Sequence, residues 1–188
     1  MLDLVAAEGR GGRVALPVTT TRVAEQVTAF HGTQVLWVST APNDLARAAA
    51  RPGVAFAGDG RGGFVIPELS PSLDAVAAFV RLLGLVARTR LTLSQIDGRI
   101  PKAYLVTRSV PTPWAVKGAV MRTVLQAAAP YEVDTTDGGR VVEGSAHWAL
   151  VLPDPAEAMT HLWAEAPHEE QALALLDRWV GVVESARA

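Results

Sequence analysis

Two hydrophobic patterns divide this chain. Up to about residue 98, short apolar runs alternate with helical periodicity. Residues 13–18, 34–39, 54–57 and 64–67 read as strands. Residues 22–31, 43–50 and 71–88 read as helices between and after them. Val23, Val27 and Phe30 share one face of the first helix, with Thr21 placed to cap it and Gly32 to end it. Val76, Phe79, Val80, Leu83 and Val86 form the apolar stripe of the third. A short helix around Leu2, Leu4 and Val5 opens the chain and stops at Gly9 and Gly11-Gly12. Strand–helix alternation of this kind predicts a mixed, mostly parallel sheet flanked by helices.

Beyond the connection at residues 98–101 the order changes. A short helix at 91–96 leads into it. Residues 102–110 alternate as a strand, and Pro113 suits the first turn of a helix running to 128. Strand patterns then follow one another: 131–134 with 140–143, 148–152 and 162–165. A last helix covers 168–186. Consecutive strands followed by a helix predict an antiparallel four-stranded sheet with helices on one face. The expected organisation is an α/β domain at 1–98 and an α+β domain at 99–188.

Composition narrows the function classes. The chain has 188 residues, no cysteine, a formal charge of −2 and 49% hydrophobic residues. The charge argues against nucleic acid or an anionic membrane as partner. Missing cysteines exclude disulfides and thiolate metal sites, and suit a cytoplasmic protein. No apolar run reaches the ~20 residues of a membrane span, and Met1-Leu2-Asp3-Leu4 does not open a signal peptide. None of His31, His147, His161 and His168 stands at a metal-ligand spacing. The five tryptophans, Trp37, Trp114, Trp148, Trp163 and Trp179, read as core and interface fillers.

Four segments are weighed for chemistry. Gly58-Asp59-Gly60-Arg61-Gly62-Gly63-Phe64 follows a strand, where backbone N–H groups can wrap a phosphate or sugar, or where a flexible turn can form. Ser39 to Asn43 reads as a structural loop, and Thr19-Thr20-Thr21-Arg22 as a helix cap. Pro153-Asp154-Pro155-Ala156-Glu157-Ala158 joins two strands and lacks Arg, Lys, Ser, Thr and Gly. Its prolines supply no N–H, and Asp154 and Glu157 repel anions, so it reads as a poor anion site.

Two motifs carry a resemblance. Asp134-Thr135-Thr136-Asp137-Gly138-Gly139, followed by the 153–158 loop, resembles the C-terminal domain of the α-D-phosphohexomutases, the phosphomannomutases and phosphoglucomutases. There the loop has the form Arg-Pro-Ser-Gly-Thr-Glu-Pro. Leu152 stands at the Arg position, Asp154 at Ser, Pro155 at Gly and Ala156 at Thr; only Pro153 and Glu157 match. His161 stands where a second phosphate-contacting Arg is expected. Over nearly its whole length the chain looks like the third and fourth domains. Pro113-Trp114-Ala115-Val116-Lys117-Gly118-Ala119-Val120-Met121-Arg122 is similar to the mutase-like half fused to bacterial mannose-1-phosphate guanylyltransferases.

The resemblance implies roles. The glycine-rich loop grips sugar hydroxyls in that family. Asp59, Arg61 and Gly62 become candidate sugar contacts, although Gly63 replaces a His and Arg61 a Ser. Asp154, Glu157 and His161 mark a degenerate phosphate loop. The family's serine nucleophile and Asp-Gly-Asp magnesium loop do not occur in this sequence. No catalytic residue is expected here, no cofactor, and magnesium only with upstream domains. Those upstream domains are the expected partner and a hexose phosphate the candidate ligand. Met1 is read as the start of a truncated piece. The chain alone is not expected to be an enzyme. Two readings compete: part of an enzyme of mannose or GDP-mannose metabolism with residual sugar-phosphate recognition, or a non-catalytic scaffold or regulatory module of a fused guanylyltransferase.

Overall fold

The computed structural model describes residues 1–9, 12–144 and 146–187; Gly11, part of the expected helix stop, lies outside them. The chain divides into two compact units, Met1–Lys102 and Ala103–Ala188.

The first unit is built on a four-stranded sheet ordered β2-β1-β3-β4. Its strands are β1 (Arg13–Pro17), β2 (Gln34–Val38), β3 (Val54–Gly58) and β4 (Phe64–Val65). β1 pairs in parallel with β2 and β3, and β4 is antiparallel to β3. The chain moves outward from β1 to β2, then back across β1 to β3. Right-handed crossovers in opposite directions put their helices on opposite faces. Accordingly α2 (Val23–Phe30) joins α1 (Leu2–Ala7) in one core with Val14, Leu16 and Phe56. α3 (Pro42–Ala49) packs with Ala15, Val38 and Ala57 in the other. A bulge opposite Arg13 and Val14 lets Ala55 and Phe56 both face the first core.

Two expectations for the helices change. Phe30 is exposed, and α2 buries Val23, Ala24 and Thr28 instead. Thr28 is tolerated there because its hydroxyl donates to the Ala24 carbonyl oxygen at 2.8 Å. α4 runs Ala75–Thr89 rather than from residue 71, because the Asp74 carboxylate accepts from the Ala77 amide and caps it. Its buried residues are Ala78 and Leu85, with Leu82 and Val86 packed beside them. Val76, Phe79, Val80 and Leu83 point away from that core and are exposed. α5 (Leu93–Asp97) closes the unit with a complete capping box between Thr92 and Gln95.

The second unit is an antiparallel sheet ordered β5-β9-β8-β7-β6. It has five strands rather than four, because β6 (Glu132–Asp134) and β7 (Gly139–Gly144) are separate arms of a hairpin. β5 (Tyr104–Pro111) is one edge; β8 (His147–Pro153) and β9 (Met159–Ala166) are central. α6 (Lys117–Ala127) and α7 (Glu169–Ser185) both pack on the face carrying Val110, Val141, Ala149, Val151, Leu162 and Ala164. On the other face of β8, Trp148 and Leu150 are also fully buried. Trp148 Nε1 donates to Glu165 Oε1 at 2.8 Å, which satisfies an indole that could not otherwise be buried cheaply.

Candidate functional site

The β6–β7 turn is organised by Asp134. Its Oδ1 accepts from the Thr136 amide at 2.8 Å and the Thr136 hydroxyl at 2.6 Å, while Oδ2 receives Arg140 Nη2 at 2.8 Å. Burial raises its pKa, but these hydrogen bonds and the Arg140 charge outweigh that and hold it below the usual carboxylate value. Gly138 then turns the chain at φ +70° and lies against β8 at Val151 and Leu152. The hairpin therefore braces the strand that delivers the 153–158 loop.

That loop connects the central strands β8 and β9 and is closed by the Asp154 amide donating to the Met159 carbonyl oxygen at 3.0 Å. Asp154 bends back over it. Its Oδ1 accepts from the amides of Ala156 and Glu157, both at 2.7 Å. Its Oδ2 lies 2.8 Å from His161 Nε2. The Ala156 amide, His161 and the Glu157 amide together keep this carboxyl below its ordinary pKa. Behind it, His161 Nδ1 meets the Ser109 hydroxyl at 2.7 Å, the two residues being directly opposite in the β5–β9 pairing.

The loop thus does present amide donors, despite Pro153 and Pro155. What it lacks is vacancy, because its own carboxylate occupies them. It also has a cation, supplied from outside the loop. Pro113 leads into a 3-10 turn at Trp114–Val116, which sets Lys117 at the start of α6. Lys117 Nζ donates to the carbonyl oxygens of Asp154, at 2.5 Å, and of Glu157, and sits 3.6 Å from the centre of the Trp114 ring. A cation at a helix N-terminus is disfavoured by about 0.3–1 kcal/mol. Each charge-assisted hydrogen bond contributes about 1.5–3 kcal/mol, so the loop carbonyls decide where this lysine goes. Trp114, expected as a core or interface filler, is exposed and serves as the platform under Lys117.

Ser109, His161 and Asp154 form a hydrogen-bonded line of the residue types used in nucleophilic catalysis. An acyl-transfer site also needs N–H donors aimed at a developing oxyanion. The two amides placed for that purpose are engaged by Asp154 Oδ1. The line fixes the loop. Glu157 contributes backbone groups to it, through its amide and carbonyl.

The other candidate residues lie in the first unit. Asp59 Oδ1 accepts from the amides of Arg61, at 2.7 Å, and Gly63, at 2.8 Å. A Cβ at Gly63 would stand 2.5 Å from Asp59 Oδ2, so glycine is required for this wrapping. Gly60 and Gly62 both have positive φ. Arg61 is exposed. Beside Gly60 lies Thr20 Oγ1, a buried hydroxyl without a hydrogen-bond partner among the described residues. Thr21 Oγ1 accepts from the Val23 amide at 3.2 Å, a capping role for α2. Ser39 Oγ donates to Asp44 Oδ2 at 2.5 Å and receives the Ala41 amide, which binds the 39–43 loop to α3. Ser109 and Lys117 had no assigned role in the sequence reading, though Lys117 stands in its Pro113–Arg122 motif.

Among the described residues no three His, Asp or Glu side chains converge as metal ligands, and no helix is long and apolar enough to cross a membrane.

No family model matches the chain. A probable phosphoglucosamine mutase of Methanopyrus kandleri is 29% identical over 174 residues, covering 92% of this chain and 38% of that protein. A phosphoglucomutase/phosphomannomutase of Thermococcus kodakarensis is 24% identical, covering 98% of this chain and 40% of its own. Among solved structures, a phosphoglucomutase/phosphomannomutase family protein of Burkholderia thailandensis superposes with a TM-score of 0.80 at 20% identity, over 98% of this chain and 40% of that one. An N-acetylphosphoglucosamine mutase of Aspergillus fumigatus gives 0.69 at 13% identity, over 100% and 43%. The chain therefore spans about two fifths of the length of the proteins it matches.

Proposed function

We propose that the chain is a C-terminal part of an α-D-phosphohexomutase-like protein and acts there as a non-catalytic module whose phosphate loop is closed by its own carboxylate. The observation that carries this reading is the position of Asp154. Its side chain holds both loop amides and His161, where a ligand phosphate would need them. Lys117, which would otherwise offer a positive charge, is bound to loop carbonyls.

The parent protein belongs to sugar-phosphate metabolism, in the mannose and GDP-mannose branch, and works in the cytoplasm. Hexose phosphate is the ligand class of the parent, handled together with upstream domains that bring the nucleophile and the magnesium. The Pro113–Arg122 motif supports the narrower form of this reading, a regulatory or scaffold half beside a mannose-1-phosphate guanylyltransferase. None of the relatives named above bears that description.

Calorimetric titration with mannose 1-phosphate and mannose 6-phosphate at neutral pH tests the proposal. Wild type is expected to show no binding in the micromolar range. Asp154→Ser, which frees the Ala156 and Glu157 amides, is expected to bind more tightly than wild type. Micromolar binding by wild type, weakened in Asp154→Ser, would reject the closed-loop reading.

A further inference from the structure

Ser109 stands exposed on the edge strand β5, with its hydroxyl 2.7 Å from His161 Nδ1. The other ring nitrogen, Nε2, lies 2.8 Å from Asp154 Oδ2. These contacts fix where the protons are. An ionised carboxylate can only accept, and the Ala156 amide, His161 and the Glu157 amide keep Asp154 ionised. The neutral imidazole therefore carries its proton on Nε2 and presents a lone pair at Nδ1, to which the Ser109 hydroxyl donates. A nucleophile, a base and a group that orients the base thus stand within hydrogen-bond reach of one another.

The strand register adds a donor for an oxyanion. The Thr112 amide donates to the Ala158 carbonyl oxygen at 2.7 Å, and along an antiparallel pair such bonds recur at every second residue. Even-numbered residues of β5 therefore turn their amides to β9. Odd-numbered ones turn theirs to the outer edge, where no strand pairs with β5 among the described residues. Pro111, which has no amide to leave unpaired, occupies one of these outer positions. The Ser109 amide is thus an open donor, and serine triads use the nucleophile's own amide in this way. Trp163 lies two residues along β9 on the same face, its ring centre 6.1 Å from that of His161.

We propose that Ser109 is an acylation site for uncharged aryl esters. Oγ attacks the acyl carbon, its proton passes to His161 Nδ1, and the bond from the acyl carbon to the phenolic oxygen breaks. The phenolate leaves with the electron pair, and the acyl group remains as an ester on Ser109. The Asp154 charge disfavours an anionic donor, and Trp163 offers an aromatic wall to the leaving group. With the loop amides engaged, one open amide serves the oxyanion, so the leaving group has to be a good one. The ester then hydrolyses slowly, and the chain is modified once rather than turning over. The reaction uses the closed position of Asp154, which calorimetry with sugar phosphates checks separately.

The test incubates the full chain with p-nitrophenyl acetate, follows phenolate release by absorbance and maps acetylated peptides by mass spectrometry. The expected result is a burst of about one equivalent with acetyl on Ser109. Ser109→Ala should abolish the burst. Asp154→Asn keeps an oxygen for the loop amides but turns an NH2 group to His161. Nε2 then accepts, Nδ1 carries the proton, and the base is lost. His161→Gln and Asp154→Asn should each slow acetylation of Ser109 by about a hundredfold with unchanged circular dichroism. A line that only holds the loop would leave Asp154→Asn labelled like wild type. Acetyl confined to lysines and the N-terminus, or a Ser109 rate unchanged in either variant, would overturn the proposal.

Discussion

Two glycine-to-alanine substitutions in the second unit are predicted to act in opposite directions. At Gly138 the backbone has φ +70°. An L-residue pays about 1–2 kcal/mol there. The added Cβ would also fall well inside contact distance of the Val151 carbonyl oxygen and 3.1 Å from Leu152 Cα. That neighbour is backbone of a central strand, held to β7 and β9 on either side. It cannot rotate away, so either the turn or the strand moves. Overpacking of this kind costs about 1–3 kcal/mol. Gly138→Ala is therefore expected to destabilise by about 2–5 kcal/mol, a large part of the ~5–15 kcal/mol available to a domain. Gly181 lies inside α7 with nothing within 4 Å of its Cβ position. Gly181→Ala should stabilise by about 0.5–1 kcal/mol through helix propensity alone. Urea unfolding followed by tryptophan fluorescence reads this unit, since Trp114, Trp148, Trp163 and Trp179 all lie in it. Midpoints should shift in opposite directions with unchanged slopes. A Gly138→Ala cost below about 1 kcal/mol would refute the bracing argument.

Other consequences can be checked alongside. Asp134 has a folded pKa below its ordinary value, so its contribution is present above the unfolded value of about 3.9 and is lost as pH falls through the folded one. The urea midpoint should drop in acid, and Asp134→Asn should flatten that drop; an identical acid profile would exclude this role. Lys117→Ala should make amide exchange at Ala156 and Glu157 about tenfold faster, equivalent to about 1.4 kcal/mol, and unchanged protection would show that the lysine does not hold the loop. Trp148→Phe removes one donor to the buried Glu165 carboxylate and should cost about 1–3 kcal/mol in the same unfolding assay, whereas a neutral effect would mean that this hydrogen bond does not contribute to stability.

Much of the fold was legible in the sequence. Period and punctuation distinguished the βα alternation from the later run of strands, and the Asp-Gly-Gly signal marked the β6–β7 turn. The α4 stripe misled, because helical periodicity identifies an apolar face without saying what it meets. Ala78 and Leu85 are buried, and the larger stripe of Val76, Phe79, Val80 and Leu83 faces out. At the 153–158 loop the sequence correctly showed missing donors on side chains. It did not show that Asp154 could fold back on the following amides. That geometry depends on tertiary neighbours, namely His161 one strand away and Lys117 at the end of a turn. Ser109 lay beyond reach for the same reason: only strand register places it opposite His161.

The Asp154 turn also sets a chemical competition. A phosphate dissolved in the cell meets the loop at whatever concentration metabolism maintains. The carboxylate arrives on a tether a few bonds long, and its effective concentration is fixed by covalent structure at about millimolar or above. It does not fall when sugar phosphates are scarce or rise when they are plentiful. On the proposed reading, a ligand phosphate has to displace this tethered carboxylate, so its apparent affinity is lowered by a constant factor and the loop responds only to ligand concentrations above that of the tether.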